Sequence, residues 1–409
     1  MSRSDRIPLA EPTIGGNASR YLQECLTTNY VSSVGPFVER FEEAFAEAVG
    51  AKHAVACSSG TAAIHLALRV LDIPGGSEVW TSTLTFVASA NPIRYVAARP
   101  VLVDSEPRTF NLDPDVIDDE LRRRARLGLP QPAAIEVVHL VGHPADIEPI
   151  AAAAARHGVT VVEDASEALG ATWTSGTYAG RHAGTIGALG CFSFNGNKLV
   201  TTGGGGMVVT DDAALARRVR HLSTQARLSG RAYDHDEVGY NYRLSNLAAA
   251  LGLAQMEQLP ELLDARRAIA ARYDDALTAI RELRPAPRAS WADPSFWLYT
   301  STLIQPDERR RDQIMDALLD DGIEARPLWT PLHRTRLYAD AARLGGNVAD
   351  GIFDSAMSLP SSSSLTPQRQ ARVIDALIRA VQAPSEAPPG PDGTPRPAAI
   401  ATDSDSRIG

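Results

Sequence analysis

Lysine is almost absent from this chain of 409 residues. Of its 40 basic residues 38 are arginine, and only Lys52 and Lys198 are lysine. Arginine can replace lysine as a surface cation, but it stays protonated and cannot act as an amine nucleophile. The sequence therefore confines any lysine amine chemistry to two positions.

Cysteine, positive charge and long apolar runs are also scarce. Cys25, Cys57 and Cys191 have no CxxC spacing, which argues against disulfides or structural zinc and predicts a reducing compartment. His139 and His143 have no third ligand at suitable spacing, so we expect no metal. The net charge of -9 argues against a nucleic acid partner. Without an apolar leader or a run of 18 apolar residues, we expect a cytoplasmic protein that does not bind membranes.

The remaining sequence alternates between strand and helix patterns. Apolar, β-branched runs alternate with helical patterns up to about residue 210, which predicts an α/β fold with a mostly parallel sheet. We predict a large domain over residues 1–250 and an interdomain helix with a small α+β domain over residues 251–382. Prolines crowd the polar segment 383–409, which predicts a disordered tail.

Three polar positions lie where ligands gather in such folds. Asp164 ends an apolar strand, where a carboxylate either caps the next segment or faces a ligand. Residues 59–61, Ser-Gly-Thr, precede a helix and form either a capping turn or a phosphate cradle of backbone N–H groups. Lys198 stands in a turn, where an isolated lysine is ordinarily a solvated surface residue.

One cofactor joins these separate signals. Pyridoxal phosphate needs a lysine amine, a carboxylate against its ring nitrogen, a phosphate cradle and usually an aromatic ring stacked on its face. Lys198, Asp164 and residues 59–61 match the first three requirements, and Phe86 matches the fourth. Phe86 could equally be a core residue, so the combination and not any one residue carries the prediction.

Four motifs resemble those of the DegT/DnrJ/StrS family of sugar aminotransferases. They occur in family order and are SGTAAIHLAL at 59–68, VEDASEALGA at 162–171, FSFNGNK at 192–198 and GYNYR at 239–243. The resemblance implies a fold type I pyridoxal phosphate enzyme, with a mostly parallel seven-stranded sheet in the large domain and a smaller α+β C-terminal domain.

The same resemblance implies roles around the cofactor. Lys198 would form the Schiff base and later shuttle a proton, while Asp164 would pair with the ring nitrogen. Glu167 would lie near the phenolic oxygen of the cofactor, and Phe86 would stack on its ring. The phosphate would bind to Ser193 and to the cradle formed by Ser59, Gly60 and Thr61.

Other implied roles concern the second subunit and the substrate. Asn241 falls where the family sends an asparagine from the neighbouring subunit to the phosphate, which implies a homodimer with shared active sites. Arg227, Arg243 and His333 are candidates for substrate contacts. The implied reaction moves an amino group from L-glutamate to a nucleotide-linked keto sugar.

The glycine run at 203–206 resembles that of a bacterial subgroup of the family whose members act at C4 of the sugar. Gly204 stands where many members carry glutamate, and the subgroup aminates 4-keto-6-deoxy sugars, as in bacillosamine, legionaminate and perosamine pathways. Members that dehydrate the sugar carry histidine in place of the lysine, so Lys198 favours transamination. Three alternatives remain: a 3-keto sugar aminotransferase, a cyclitol aminotransferase and a catalytically silent regulatory protein of this fold.

Overall fold

The computed structural model describes residues 6–384, which form an α/β protein with twelve helices and fourteen strands in that range. The helices are α1 (Ala18–Thr28), α2 (Pro36–Val49), α3 (Gly60–Val70), α4 (Val87–Tyr95), α5 (Pro114–Leu127), α6 (Ile147–His157), α7 (Ala213–Ser223), α8 (Asn246–Met256), α9 (Leu259–Leu277), α10 (Glu308–Asp320), α11 (Val348–Ser355) and α12 (Pro367–Gln382). The strands are β1 (His53–Cys57), β2 (Glu78–Ser82), β3 (Arg99–Val103), β4 (Ala134–Val138), β5 (Thr160–Asp164), β6 (Thr172–Trp173), β7 (Leu189–Ser193), β8 (Gly206–Thr210), β9 (Leu283–Arg284), β10 (Ala292–Asp293), β11 (Tyr299–Leu303), β12 (Arg326–Pro327), β13 (Ala342–Leu344) and β14 (Ala356–Leu359).

The central sheet has eight strands in the order β1-β8-β7-β5-β4-β2-β3-β13. The strands from β7 to β13 in this order pair in parallel, and β8 pairs antiparallel with β1 and β7. The α/β class and the mostly parallel sheet are therefore confirmed. Seven strands of this sheet lie between residues 53 and 210, and β13 adds an eighth from the C-terminal part of the chain. A strand of three residues is too short to show an alternating pattern, so the sequence did not predict it.

Both faces of the sheet are buried by helices, as the apolar strands require. Along β2, Val79 packs in the apolar cluster that includes α3 and α7, whereas Trp80 packs in the cluster that includes α2, α5, α6 and α8. On β5, Val162 packs in the first of these clusters and Val161 packs in the second. Because successive side chains point to opposite faces, each strand anchors both layers and holds the carboxyl ends of β2, β4, β5 and β7 in register.

A second, antiparallel sheet lies in the C-terminal part, in the order β12-β14-β11-β9. It shares an apolar core with α9, α10 and α12. This core also contains Ile7, which is bridged to Ile323. The predicted division after residue 250 falls within α8, which packs in the core of the large sheet as far as Met256. We propose instead that the division lies between α8 and α9, and that residues near Ile7 belong with the C-terminal domain.

Two further features concern membrane spans and the C-terminal tail. In the range 6–384, no helix combines the length and apolarity needed to cross a membrane. The proline-rich tail predicted for residues 383–409 lies outside the described residues apart from its first two positions.

A buried carboxylate fixes the loop beside β5. Glu163 accepts hydrogen bonds from the backbone N–H groups of Gly184, Ile186 and Gly187, and it faces His139 Nε2 at 2.9 Å. Burial alone raises the pKa of Glu163, but the bonds from His139 and the amides outweigh it and hold the pKa below its usual value. The loop preceding β7 is therefore tied to β5.

We expect Glu163→Gln to destabilise the protein by about 2–4 kcal/mol, because the amide nitrogen cannot accept from backbone N–H groups that remain buried. The measurement is the thermal unfolding temperature of the full chain. The exposed Glu47 offers a matched control, and Glu47→Gln should change stability by less than about 0.5 kcal/mol. Equal unfolding temperatures for the two variants would contradict this account of the loop.

Candidate active site

The predicted cofactor residues converge at the carboxyl edge of the central sheet, where ligands bind in folds of this kind. Asp164 ends β5, Ser193 ends β7, and Ser59 follows β1 at the start of α3. Phe86 precedes α4 in the connection from β2. The topology therefore brings together side chains that are more than a hundred residues apart in the sequence.

Lys198 lies in the turn after β7, with a side chain that is only 13% exposed. Its Nζ lies 3.7 Å from the centre of the Trp297 ring and 3.7 Å from Glu167 Oε1. Trp297 Nε1 also donates to the carbonyl of Asn197, at 2.8 Å, which fastens the lysine turn to the aromatic ring. Burial lowers the pKa of Lys198, although the negative charges of Glu167 and Asp164 oppose this effect.

Asp164 is held by two donors at the end of β5. Its Oδ2 accepts from Ser89 Oγ at 2.8 Å, and its Oδ1 accepts from the backbone N–H of Ser166 at 3.0 Å. Ser89 in turn shares a hydrogen bond of 2.8 Å with Thr85 Oγ1. No helix follows Asp164 directly, so a helix cap does not account for the carboxylate. Each oxygen keeps a lone pair with which to accept from a ligand N–H group.

The start of α3 combines the two interpretations of its Ser-Gly-Thr motif. Ser59 Oγ accepts from the N–H of Ala62 at 3.0 Å and so caps the helix. Gly60 packs so closely that an added Cβ would lie 2.7 Å from Cβ of Ser193 and 3.3 Å from Oγ of Ser166. Together with Thr61, these groups place hydroxyls around a helix N-terminus, where backbone N–H groups and the helix dipole favour an anion.

An aromatic wall closes the lysine side of the site. Trp297 and Trp329 stack with ring centres 6.3 Å apart, and Phe86 contacts Trp329 at 4.9 Å. Phe86 is 47% exposed, which excludes the alternative of a core residue. Trp329 Nε1 donates to Glu167 Oε1, at 3.1 Å, and the backbone N–H of Val141 donates to Glu167 Oε2, at 2.7 Å.

The charge of Glu167 is set by opposing effects. Burial raises its pKa above the usual value, while Lys198 and the donors on Val141 and Trp329 reduce the rise. Glu167 and Lys198 are therefore buried next to each other, and the protonation state of each depends on that of the other.

Among the residues described, none of the four remaining candidates bonds to Lys198, Asp164 or Glu167, although Arg243 is bridged to Cys57, next to the start of α3. Arg243 Nη1 binds Glu42 Oε1 at 3.1 Å, and Asn241 is exposed in a segment bridged to Thr224. Arg227 is exposed, and its guanidinium lies 4.5 Å from the centre of the Tyr233 ring.

His333 links two other elements. Its Nδ1 lies 2.6 Å from Thr83 Oγ1, and its Nε2 lies 3.2 Å from Asp350 Oδ1. Both ring nitrogens therefore already have protein partners. In this position the side chain supports the loop between β2 and α4 and does not contact Lys198.

Sequence reasoning missed three residues that shape the site. Ser89 holds Asp164, and Trp297 and Trp329 cover Lys198 and Glu167. Trp329 lies within the segment GIEARPLWTPLH at 322–333, which more weakly resembles the family, so a signal for it was present. Ser89 and Trp297 gave none, because a serine on a helix and a tryptophan beside a strand are ordinary packing residues.

Comparison with known proteins identifies the family. The profile of the DegT/DnrJ/EryC1/StrS aminotransferase family matches residues 12–378. EpsN of Bacillus subtilis (strain 168), named as a candidate pyridoxal phosphate-dependent aminotransferase, is 42% identical over 91% of this chain and 95% of its own length. A GDP-perosamine synthase of Caulobacter vibrioides (strain ATCC 19089 / CIP 103742 / CB 15) is 41% identical over 92% of this chain and 99% of its own.

The fold comparison agrees with the sequence comparison. The crystal structure of the sugar aminotransferase CalS13 from Micromonospora echinospora superposes with a TM-score of 0.80 at 31% identity, covering 91% of this chain and 99% of that one. The match thus extends over both sheets. The chain belongs to the DegT/DnrJ/EryC1/StrS aminotransferase family.

Proposed function

We propose that this chain transfers an amino group from L-glutamate to C4 of a nucleotide-linked 4-keto-6-deoxy sugar, with pyridoxal phosphate as cofactor. The observation that carries the proposal is the buried amine of Lys198 with a lowered pKa, grouped with Asp164 and the start of α3. The relatives support the substrate class, since one of 41% identity that matches over 99% of its length is named a GDP-perosamine synthase.

The residues present fit pyridoxal phosphate. The hydroxyls of Ser193 and Ser166 and the first N–H groups of α3 suit a phosphate. Asp164 suits a protonated ring nitrogen, because its two donors leave lone pairs free at the end of the sheet. When bound, the cofactor supplies an aldehyde that takes up an amine and a ring that accepts electrons from the adjacent carbon.

Lys198 is the base in this proposal. A base must be unprotonated, and burial among aromatic rings moves the pKa of the Lys198 amine downward, toward the range where neutral amine is available. Its Nζ would take a proton from the carbon that carries the donor amine and would deliver one to the sugar carbon. Glu167 and Trp297 fix the position of this amine and exclude bulk water from it.

The proposed assembly is a homodimer with shared sites. Asn241 is exposed, and its segment runs beside the proposed phosphate site, because the backbone N–H of Ser58 donates to the carbonyl of Tyr242 at 2.8 Å. Supplied by a second copy, its amide would complete the phosphate site, as the resemblance implies. We place this assembly in the cytoplasm.

We expect Lys198→Arg to lower turnover by roughly a thousandfold or more, because arginine keeps the charge but cannot serve as a base or nucleophile. Borohydride reduction should fix the cofactor covalently to the wild-type chain but not to the variant, as measured by mass spectrometry. Lys52 is the matched control, since it is exposed and Lys52→Arg should keep full activity. Wild-type turnover in Lys198→Arg would refute the lysine assignment, and an unreactive wild type would favour the silent regulatory protein.

The substrate class is tested with a panel of nucleotide-linked keto sugars and glutamate as donor. We expect formation of 2-oxoglutarate and amino sugar with 4-keto-6-deoxy sugars, and at least about tenfold lower kcat/KM with 3-keto sugars, because a displaced reacting carbon loses the near-attack geometry. Cyclitol ketones serve as a further comparison. Preference for a 3-keto sugar or a cyclitol would reject the C4 assignment while leaving the aminotransferase chemistry intact.

Shared active sites are tested by mixing two inactive variants, Lys198→Ala and Asn241→Ala, after unfolding and joint refolding. In a mixed dimer one site carries both changes and the other carries neither. Random pairing should therefore restore about a quarter of the wild-type activity. Each variant refolded alone is the control, and a mixture no more active than these controls would show that both residues act within the same chain.

A further inference from the structure

Glu136 is a buried carboxyl group for which the proposed reaction has no use. It lies in the middle of β4, where every other residue is apolar, and its side chain is wholly buried. Among the residues described, neither of its oxygens has a hydrogen-bond partner. An unpaired buried carboxyl costs stability, so its presence in a core strand calls for an explanation.

The register of the sheet places Glu136 on the same face as Asp164. Glu136 pairs with Val162, and Val138 pairs with Asp164 on the neighbouring strand. Because residues two apart on a strand share a face, Glu136 and Asp164 are diagonal neighbours across β4 and β5. On its other side, Glu136 interacts with Thr81 of β2, whose buried hydroxyl also lacks a hydrogen-bond partner of good geometry.

The two carboxyl groups differ in the donors around them. Asp164 accepts hydrogen bonds of good geometry from Ser89 and Ser166, whereas Glu136 has only its contact with Thr81, which opposes the effect of burial and does not outweigh it. Two carboxylates on one buried face repel each other, so the donors decide which of them ionises. Burial, and then the charge of Asp164, raise the pKa of Glu136 well above its usual range.

The other titratable groups that interact with Glu136 add no charge at neutral pH. Cys191 on β7 faces both carboxyls, and burial raises the pKa of its thiol well above the usual value. Tyr338, which follows β12 in the chain, is buried, and burial raises the pKa of its hydroxyl too. Helix α4 contributes the hydroxyl of Ser89, which binds Asp164. The charge on this face therefore depends on the two carboxyl groups.

We propose that Glu136 and Asp164 form a coupled carboxyl pair, in which Glu136 holds a proton and Asp164 carries the single negative charge of the pair. Glu136 is a positioning residue, because it acts through Asp164 and does not itself reach the carboxyl edge. Any effect of Glu136 on a bound cofactor rests on the function proposed above, in which Asp164 contacts that cofactor. Because coupling is reciprocal, a cation bound at Asp164 should lower the pKa of Glu136.

The test is an infrared pH titration of the full chain, with and without cofactor, for wild type, Glu136→Gln and Asp164→Asn. At neutral pH, wild type should show a protonated carboxyl band that Glu136→Gln lacks. Removing the neighbouring charge should lower the midpoint of this band by about one pH unit or more in Asp164→Asn without cofactor. Absence of the band in wild type, or an unchanged midpoint in Asp164→Asn, would overturn the pair.

A second measurement separates this proposal from the proposed function. The nitrogen NMR shift of ¹⁵N-labelled cofactor should be equal in wild type and Glu136→Gln at neutral pH, since both side chains are then neutral. Above the carboxyl midpoint only the wild-type shift should move. A difference between wild type and Glu136→Gln at neutral pH would show that Glu136 is not protonated. If Asp164→Asn left the nitrogen shift unchanged, only the proposed contact of Asp164 with the cofactor would be rejected.

Thermal stability gives a readout without cofactor, for Glu136→Gln and also for Glu136→Leu in case the first variant folds poorly. Folding raises the pKa of Glu136. The contribution of this carboxyl group to the free energy of unfolding is therefore fully present below the unfolded pKa of about 4.3, and it is lost as pH rises toward the folded pKa. Wild type should therefore lose stability relative to either variant across this range. A difference independent of pH would contradict a proton held by Glu136.

Discussion

The active site depends on keeping an amine and several carboxyl groups out of bulk water at one edge of a parallel sheet. Burial lowers the pKa of Lys198, and the charges of Glu167 and Asp164 raise it, so the state of the amine is a balance between opposed effects. Water would weaken each of these interactions. The stacked rings of Trp297 and Trp329 are therefore as necessary to the site as the charged groups they cover.

Two consecutive acids on β5 show how the fold supports this balance. Glu163 and Asp164 point to opposite faces because side chains alternate along a strand. Glu163 takes its donors from His139 and a loop, and its charge is satisfied entirely within the protein. Asp164 keeps lone pairs available at the edge of the sheet. A single strand thus carries one carboxylate whose partners all lie within the protein and one that can still accept from the proposed ligand.

Local sequence patterns predicted those features of the structure that depend on neighbouring residues. The alternation of strand and helix patterns predicted the α/β class and the mostly parallel sheet, and Lys198, Asp164 and Ser59 were found in a turn, at a strand end and at a helix start. Long-range pairs were beyond reach. Arg243 binds Glu42, which is 201 residues away, and no feature of either residue indicates the other. Assembly of the sheet, and not local propensity, creates such contacts.

The two faces of the central sheet differ in how their buried polar groups are paired. Glu136 and Thr81 have buried polar atoms without partners, while the opposite face holds the fully paired Glu163. Unpaired polar groups cost stability, and a fold retains them where other packing outweighs the cost. The apolar clusters on both sides of the sheet extend along whole strands and so supply that packing. The sheet can therefore hold unpaired polar groups inside two of its strands, because apolar packing extends along the rest of each strand.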